Sequence, residues 1–282
     1  VYKIVKQQRL NSAVVSIEVE APYVARKCEP GQFVIVRVDP DGERIPLTIA
    51  DFDRAGNTIT LIYQELGYST KRLSTKAVGD ELQDVAGPLG QAAELRKTAK
   101  VLGIGGGVGA APLYPQLKKL ADLGSQVDVI LGGRSAELVI LANEFRAFAR
   151  QVTIATDDGS LGLKGTVVDA LLRKVRDENY NRVIAIGPLP MMRAVVEHTK
   201  RLEIPTMVSL NPIMIDGTGM CGGCRVTVGG ATKFACVDGP DFDGFQVNFD
   251  ECIRRQLMYR QQERRFEQEH PCRIGWEGTK SC

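Results

Sequence analysis

The sequence predicts a β-barrel plus α/β architecture: a small barrel or sandwich, then a parallel sheet with helices, then a small loop-built segment held by a metal. Three observations carry this. Up to about residue 97, short apolar runs are broken by glycine and proline. From Lys100 onward, strand-like and helix-like runs alternate. Between Asn211 and Phe245, long periodic elements are scarce, glycine is dense, and Cys221, Cys224 and Cys236 lie close together. These are the signatures of an all-β unit, of βαβ repeats, and of a chain segment folded on a ligand.

In the first unit (residues 1–97), Val1–Leu10 is polar and alternating and does not read as a signal peptide. Ser12–Glu20 alternates around Val14, Val15, Ile17 and Val19. Gln32–Val38 follows a Pro30-Gly31 turn, and Asn57–Gln64 places Ile59, Leu61 and Tyr63 on one face. Asp80–Val85 is another short run, and a short helix is expected at Ser69–Ser74. The seam to the second unit falls at Glu94–Ala99.

The second unit (residues 98–210) reads as strand Val101–Ile104, helix Leu113–Leu123, strand Val127–Leu131, helix Ala142–Ala149 and strand Val152–Ala155. Helix Val167–Val175, strand Val183–Ile186, helix Met191–Leu202 and strand Thr206–Leu210 complete it. Such alternation implies a parallel sheet covered on both faces. Residues 211–246 form the loop-built segment, which needs something other than a core to hold it. In 247–282 a helix pattern opens on Phe249, Ile253 and Leu257; the charged stretch Asp250–Glu269 is either a solvated helix or an arm on a partner subunit.

Composition narrows the function. The 282 residues include 36 basic and 34 acidic side chains, a net charge of +2 that gives no support to nucleic acid as a partner. No apolar run approaches the roughly 20 residues of a membrane-spanning helix, so no membrane insertion is expected. Two histidines leave little room for a Ser/His/Asp or Cys/His constellation, and no catalytic side chain is assigned. Seven cysteines cannot all pair; clustered cysteines without an export signal point to metal, and Cys28, Cys252, Cys272 and Cys282 read as free thiols. A cytoplasmic location follows.

The most specific motif is Asp216-Gly-Thr-Gly-Met-Cys221-Gly-Gly-Cys224, with Cys236 further on. Taking Asp216 as a ligand, the gaps are x4, x2 and x11; plant-type 2Fe–2S sites use C-x4-C-x2-C…C. Glycine at 217, 219, 222 and 223 permits the tight turns that such a loop needs. A structural zinc site is the rival, because zinc also accepts C-x2-C with a third cysteine and a carboxylate. A metal-free loop is the third reading.

Gly103 to Pro112 follows an apolar strand and opens a helix, the arrangement that offers backbone N–H groups to a pyrophosphate. A tight structural turn is the alternative. Three other loops also follow strands of the same sheet: Gly132-Gly-Arg134-Ser, Asp157-Asp-Gly-Ser and Gly187-Pro188-Leu-Pro-Met191-Met. Strand carboxyl ends are where open α/β sheets bind ligands. In the first unit, Arg44-Ile-Pro46-Leu47-Thr48 offers a cation and a hydroxyl, and Gly67-Tyr-Ser69-Thr70 sits at a helix start.

Together these residues resemble the ferredoxin–NADP reductase superfamily, and more closely its iron–sulfur electron-transfer subunits. These include the dihydroorotate dehydrogenase electron-transfer subunit and the small subunit of NADH-dependent reduced ferredoxin:NADP oxidoreductase. Gly105-Gly106-Gly107-Val108-Gly109-Ala-Ala-Pro resembles the superfamily's nicotinamide loop, Gly187 to Met192 its G-P-x-P-M-M segment, and Cys221–Cys224 through Cys236-Val-Asp-Gly-Pro its cluster loop. Asp216 is similar to the ferredoxin:NADP oxidoreductase type; the dihydroorotate type has cysteine there.

The resemblance implies a Greek-key flavin-binding barrel holding FAD. Arg44, Pro46, Leu47 and Thr48 would serve the flavin, with the Leu61-Ile62-Tyr63 strand beside it, and Gly67, Ser69 and Thr70 its diphosphate. It implies NAD(H) along the glycine loop, Arg134, Asp157, Gly187, Pro188 and Met191. No basic cluster follows the second strand to meet a 2′-phosphate, which favours NADH over NADPH. It also implies a larger partner subunit carrying flavin and 4Fe–4S clusters, in an electron-bifurcating or confurcating complex. The dihydroorotate dehydrogenase subunit is the alternative, and a zinc-bearing adaptor the non-catalytic one.

Overall fold

A computed structural model describes residues 2–262 and 265. The first unit comprises β1 (Tyr2–Arg9), β2 (Val14–Glu20), α1 (Pro22–Lys27), β3 (Phe33–Arg37), β4 (Arg44–Asp53) and β5 (Thr58–Gln64). It is completed by α2 (Tyr68–Ser74), β6 (Glu81–Leu82) and β7 (Asp84–Leu89). The strands form one sheet in the order β6-β1-β2-β5-β4-β3-β7, with every neighbour antiparallel. Its two edge strands, β6 and β7, are separated in the chain by Gln83 alone, so the backbone itself curls the sheet into a half-barrel. Ile4, Ile17, Val34, Val36, Ile49, Ile59 and Leu61 fill the concave side, with Val24 of α1 and Leu73 of α2 packed among them.

Strands β1 and β4 and helix α1 go beyond the sequence expectation. β1 buries fully only Ile4; Tyr2, Val5 and Gln7 are half-buried, and Lys3, Lys6, Gln8 and Arg9 are exposed. β4 contains Pro46, which normally argues against a central strand. The register explains the exception. β4 pairs with β5 from Ile49 onward, while Arg44–Thr48 pairs with β3 alone. Pro46 therefore lies where the strand has one open edge, and its missing N–H costs no ladder bond on the open side.

The second unit comprises β8 (Lys100–Gly106), α3 (Ala110–Asp122), β9 (Gln126–Gly133), α4 (Ala142–Arg146), β10 (Gln151–Thr156) and β11 (Leu163–Lys164). α5 (Val167–Asp177), β12 (Arg182–Ile186), α6 (Leu189–Arg201) and β13 (Thr206–Ser209) follow. Leu113, Leu117 and Phe145 of α3 and α4 pack with Val101, Val127 and Val129 on one face. Leu171 and Val195 of α5 and α6 pack with Leu102, Ile104 and Ile130 on the other. α4 stops at Arg146, three residues short of the expected end. The chain winds from β8 outward to β10, then returns to place β12 on the other side of β8. That reversal creates a crevice at the carboxyl ends of β8 and β12.

Opposite that crevice, Asp128 pins the base of the sheet. It is fully buried, its carboxylate accepting hydrogen bonds from Arg150 and from the Tyr180 hydroxyl at 2.7 Å, with Lys174 Nζ at 3.9 Å. Burial by itself would raise its pKa; the Arg150 and Tyr180 bonds outweigh that and hold the carboxyl below its ordinary value.

The last part comprises the hairpin β14 (Arg225–Val228) and β15 (Ala231–Phe234), then α7 (Ala235–Asp238), β16 (Asp241–Asp243) and α8 (Phe249–Gln256). It departs from the expectation of a segment lacking a core. β16 joins β13 as an antiparallel edge strand of the large sheet. Met214, Cys224, Val226, Cys236, Phe242 and Phe249 belong to the same apolar cluster as Leu102 and Val195. The sequence shows no long periodic element here because the burial is spread over two- to four-residue pieces. α8 is capped by Asn248, whose side chain accepts from the Glu251 amide, and it turns Phe249 and Cys252 inward against its own chain. Most of the expected tail lies outside the described residues. Among the described residues, no helix is long and apolar enough to cross a membrane.

A composite cleft and its iron–sulfur loop

The two sheets enclose a cleft of about 1970 Å³ along the carboxyl edge of the parallel sheet. On the barrel side, its wall is the one-sided stretch of β4. Pro46, Leu47 and Thr48 line the cleft with Ile62 and Tyr63 of β5. Phe33, paired with Thr48 across β3 and β4, joins them. Burial pushes the Tyr63 phenol up to about 12 against the opposing effect of its Ser74 hydrogen bond, so that side chain is uncharged.

Two residues that the resemblance implied for the flavin are elsewhere. Leu61 is fully enclosed in the barrel core, because its side chain leaves β5 on the face opposite Ile62. Arg44 is outside the cleft: its Nε donates to the Ile215 carbonyl at 3.0 Å and its guanidinium reaches the Asp216 carbonyl at 3.5 Å. It clasps the cluster loop.

Gly67, Ser69 and Thr70 lie at the start of α2, on the cleft wall. Thr70 Oγ1 accepts from the Leu66 and Gly67 amides at 3.1 and 3.2 Å, capping the helix. Ser69 Oγ donates to Glu43 Oε2 at 2.6 Å. For Ser69 to bind a phosphate, Glu43 has to release it.

Across the cleft, Gly106, Gly107, Val108 and Gly109 lead into α3. Gly107 has φ +54°, a left-handed conformation natural to glycine, and its Cβ direction is open. A Cβ on Gly109 would lie 2.3 Å from the Ile186 carbonyl oxygen, so the start of α3 rests directly on the end of β12. Gly105 is a correction. It lies within β8 and its Cβ direction meets Ala110 Cα at 3.1 Å, which makes it a packing position behind the loop. Gly187, Pro188 and Met191 form the facing wall. Arg134 and Asp157 stand together on the rim, where the Asp157 amide bonds Gly133 O and the Asp158 amide bonds Arg134 O.

Sequence reasoning missed Phe33, Glu43, Thr166, Asn211 and Met214, all of which line the cleft. Asn211 and Met214 matter because they extend it to the start of the cluster loop. The available signal was their position directly after the last parallel strand. Also missed was Asp241 on β16. It is enclosed against Gln116 of α3, whose Nε2 donates to Asp241 Oδ2 at 2.9 Å. Burial raises the Asp241 carboxyl to about 6, against the opposing effects of Ser209, Gln116 and Arg182. Gln116 Oε1 and Asp241 Oδ1 have no hydrogen-bond partner among the described residues.

The four expected metal ligands stand as two pairs. Cys224 and Cys236 are buried with their sulfurs 3.1 Å apart. Burial, then the neighbouring Cys224, pushes the Cys236 thiol up to about 12. Asp216 Oδ1 accepts from the Thr218 amide at 2.7 Å and hydroxyl at 2.8 Å, and Oδ2 from the Cys221 amide at 3.0 Å. The Thr218 and Cys221 amides hold its carboxyl well below the ordinary range. Cys221 is exposed, and its sulfur accepts from the Gly223 amide at 3.4 Å. Among the described residues, no three His, Cys, Asp or Glu side chains converge as a site for a single metal ion. Two donor pairs on a loop turned by Gly217, Gly219 and Gly222 at positive φ fit a two-iron group. Two buried sulfurs in contact ionise together only if a cation compensates them.

Comparison with known proteins agrees with this geometry. Residues 211–248 match the family model of the iron–sulfur cluster binding domain of dihydroorotate dehydrogenase B, and residues 104–197 that of the oxidoreductase NAD-binding domain. The fold and site define an oxidoreductase electron-transfer subunit of ferredoxin reductase-like fold, with flavin, nicotinamide and iron–sulfur sites. An electron-transfer subunit homologue of dihydroorotate dehydrogenase B from Thermotoga maritima is 43% identical, over 93% of this chain and 93% of its own. The corresponding subunit of Desulforamulus reducens is 35% identical over 82% of this chain and 91% of its own. The chain belongs to this family of electron-transfer subunits and their homologues. A solved structure of NADH-dependent reduced ferredoxin–NADP oxidoreductase, described for flavin-based electron bifurcation, superposes with a TM-score of 0.91 at 40% identity. That match covers 96% of this chain and 98% of the other.

Proposed function

We propose that the chain is the electron-transfer subunit of an NADH-dependent reduced ferredoxin–NADP oxidoreductase. In this reading it is a cytoplasmic protein that passes electrons between NAD(H), FAD and a 2Fe–2S cluster to a larger partner subunit that carries flavin and 4Fe–4S clusters. One observation carries the reading: a single cleft runs from Thr48 and Tyr63, past Gly106–Gly109, to Asn211 and Met214 beside the cluster loop. The flavin and dinucleotide walls therefore share one cleft, and Asn211 and Met214 carry its lining to the start of the cluster loop.

The nicotinamide supplies electrons in pairs, the flavin in pairs or singly, and the cluster singly. The chain's own residues bind, orient and exclude water. Pro46, Leu47 and Thr48 would hold the flavin, with Ile62 and Tyr63 beside them on the same cleft wall. The amides at the start of α3 take the dinucleotide's pyrophosphate, helped by the positive end of that helix. Arg134, Asp157, Pro188 and Met191 would line the rest of the dinucleotide's path along the cleft. Asp216, Cys221, Cys224 and Cys236 hold the cluster.

The dihydroorotate dehydrogenase B relatives are electron-transfer subunits or a homologue of one. Asp216 is what favours the ferredoxin–NADP type. Anaerobic purification from the native host separates the two. Co-purification of a large subunit with flavin and 4Fe–4S clusters supports the proposal, and co-purification of an FMN-containing dihydroorotate dehydrogenase refutes it.

A further inference from the structure

Arg44 belongs to the barrel strand that lines the flavin side of the cleft, two to four residues before Pro46, Leu47 and Thr48. Its guanidinium leaves that strand for the backbone carbonyls of Ile215 and Asp216, with Asp84 Oδ2 at 4.0 Å. The next residue, Gly217, has φ +80°, and a Cβ there would lie 2.7 Å from Leu89 Cδ1 and 3.0 Å from Ile35 Cγ1. The first turn of the loop is thus held between the guanidinium and the barrel surface. Among the described residues, none of the backbone–backbone hydrogen bonds outside helices and sheets involves residues 211–221. The far end of the ligand series is docked differently, by Gln91, whose amide bonds Gly239 O at 2.6 Å and whose side chain bonds Val237 O at 2.8 Å.

We propose that Arg44 is a positioning residue for the iron–sulfur site: its fork fixes Asp216 relative to the flavin strand, and its charge favours the reduced cluster. The inference rests on the reading of Asp216, Cys221, Cys224 and Cys236 as ligands. Two carbonyls gripped by a planar fork are held in orientation as well as distance. One-electron reduction adds one negative charge to the site, and a fixed cation beside a ligand stabilises that added charge. Asp84 offsets part of the charge and leaves the fork in place.

Arg44→Gln removes fork and charge; Arg44→Lys keeps the charge and loses the fork. Hydrogen exchange of the Thr218 and Cys221 amides in iron-free protein reads the positioning. The account expects about tenfold faster exchange in Arg44→Gln and an intermediate rate in Arg44→Lys. A redox titration of the reduced cluster's electron paramagnetic resonance signal reads the charge. Arg44→Gln should make cluster reduction about tenfold less favourable, about 59 mV lower for a one-electron couple, while Arg44→Lys stays within threefold of wild type. Iron-loaded wild type with an unchanged potential in Arg44→Gln, or with unchanged exchange in both variants, overturns the inference and leaves the ligand reading standing. Wild type that takes up no iron overturns both. If Arg44→Gln takes up no iron, Arg44→Lys decides: the inference requires it to load, to keep its potential and to exchange faster.

Discussion

Replacing Gly109 by alanine adds one methyl group where the nicotinamide loop meets the sheet. The new Cβ would lie 2.3 Å from the Ile186 carbonyl oxygen and 2.7 Å from the Ile186 carbonyl carbon. Ordinary van der Waals contact needs about 3.5 Å, so the loop and the sheet edge must part by about 1 Å. Gly109 already has φ −62° and ψ −13°, an ordinary helical conformation, so the effect is steric and not a matter of backbone preference. Overpacking of this kind costs about 1–3 kcal/mol of stability. A shift of about 1 Å that breaks one amide–phosphate hydrogen bond costs about 2–3 kcal/mol, or about 100-fold in affinity. NADH affinity, measured by calorimetry on the flavin-loaded protein, is expected to fall by about that factor. Flavin content should be retained, because the added methyl group clashes with Ile186 and Gly187 at the edge of the parallel sheet. A folded, flavin-loaded Gly109→Ala with NADH affinity within threefold of wild type would refute the placement of the dinucleotide at this loop.

Three further outcomes follow from the same geometry. Asp128 is held below its ordinary pKa, so it stabilises the fold above about pH 4 and that contribution is lost as pH falls through its folded value. Asp128→Asn should cost about 3 kcal/mol at pH 7 in urea titrations and show a shallower acid limb than wild type, and equal acid limbs would count against it. Asp241 has the opposite sign: its folded value of about 6 means stability falls as pH rises from about 4 to 6. Asp241→Asn should flatten that interval and melt higher than wild type at pH 7, since its amide supplies a donor for Gln116 Oε1; a lower melting temperature would contradict this. Cys236→Ser should lose most of the bound iron in elemental analysis while keeping flavin, and full iron retention would remove Cys236 from the ligand set.

Much of this molecule is legible in the chain. The βαβ alternation from Lys100 onward places β8, β9, β10, β12 and β13 within a few residues, because strands buried on both faces read as continuous apolar runs, such as Val183–Ile186, and it misses the two-residue β11. The barrel is less legible. β1 is mostly polar, and Pro46 hides β4 until the register shows that the strand is open-edged there. The cluster segment reads clearly as a ligand pattern and poorly as a fold, since its core positions fall singly at Met214, Val226 and Phe242. Arg44 illustrates the limit of motif reasoning. A cation near a flavin strand suggests a phosphate partner, and nothing in the local sequence says that its side chain crosses to Ile215, far along the chain.

The most direct test of the electron relay is stopped-flow mixing of the anaerobic, cofactor-loaded protein with NADH, followed at the flavin and iron–sulfur absorbance bands. The account expects flavin absorbance to fall first and the iron–sulfur band afterwards, in the same molecules and without a partner subunit. Both bands left unchanged by NADH while NADPH bleaches them, or an iron–sulfur band that never responds, would contradict it.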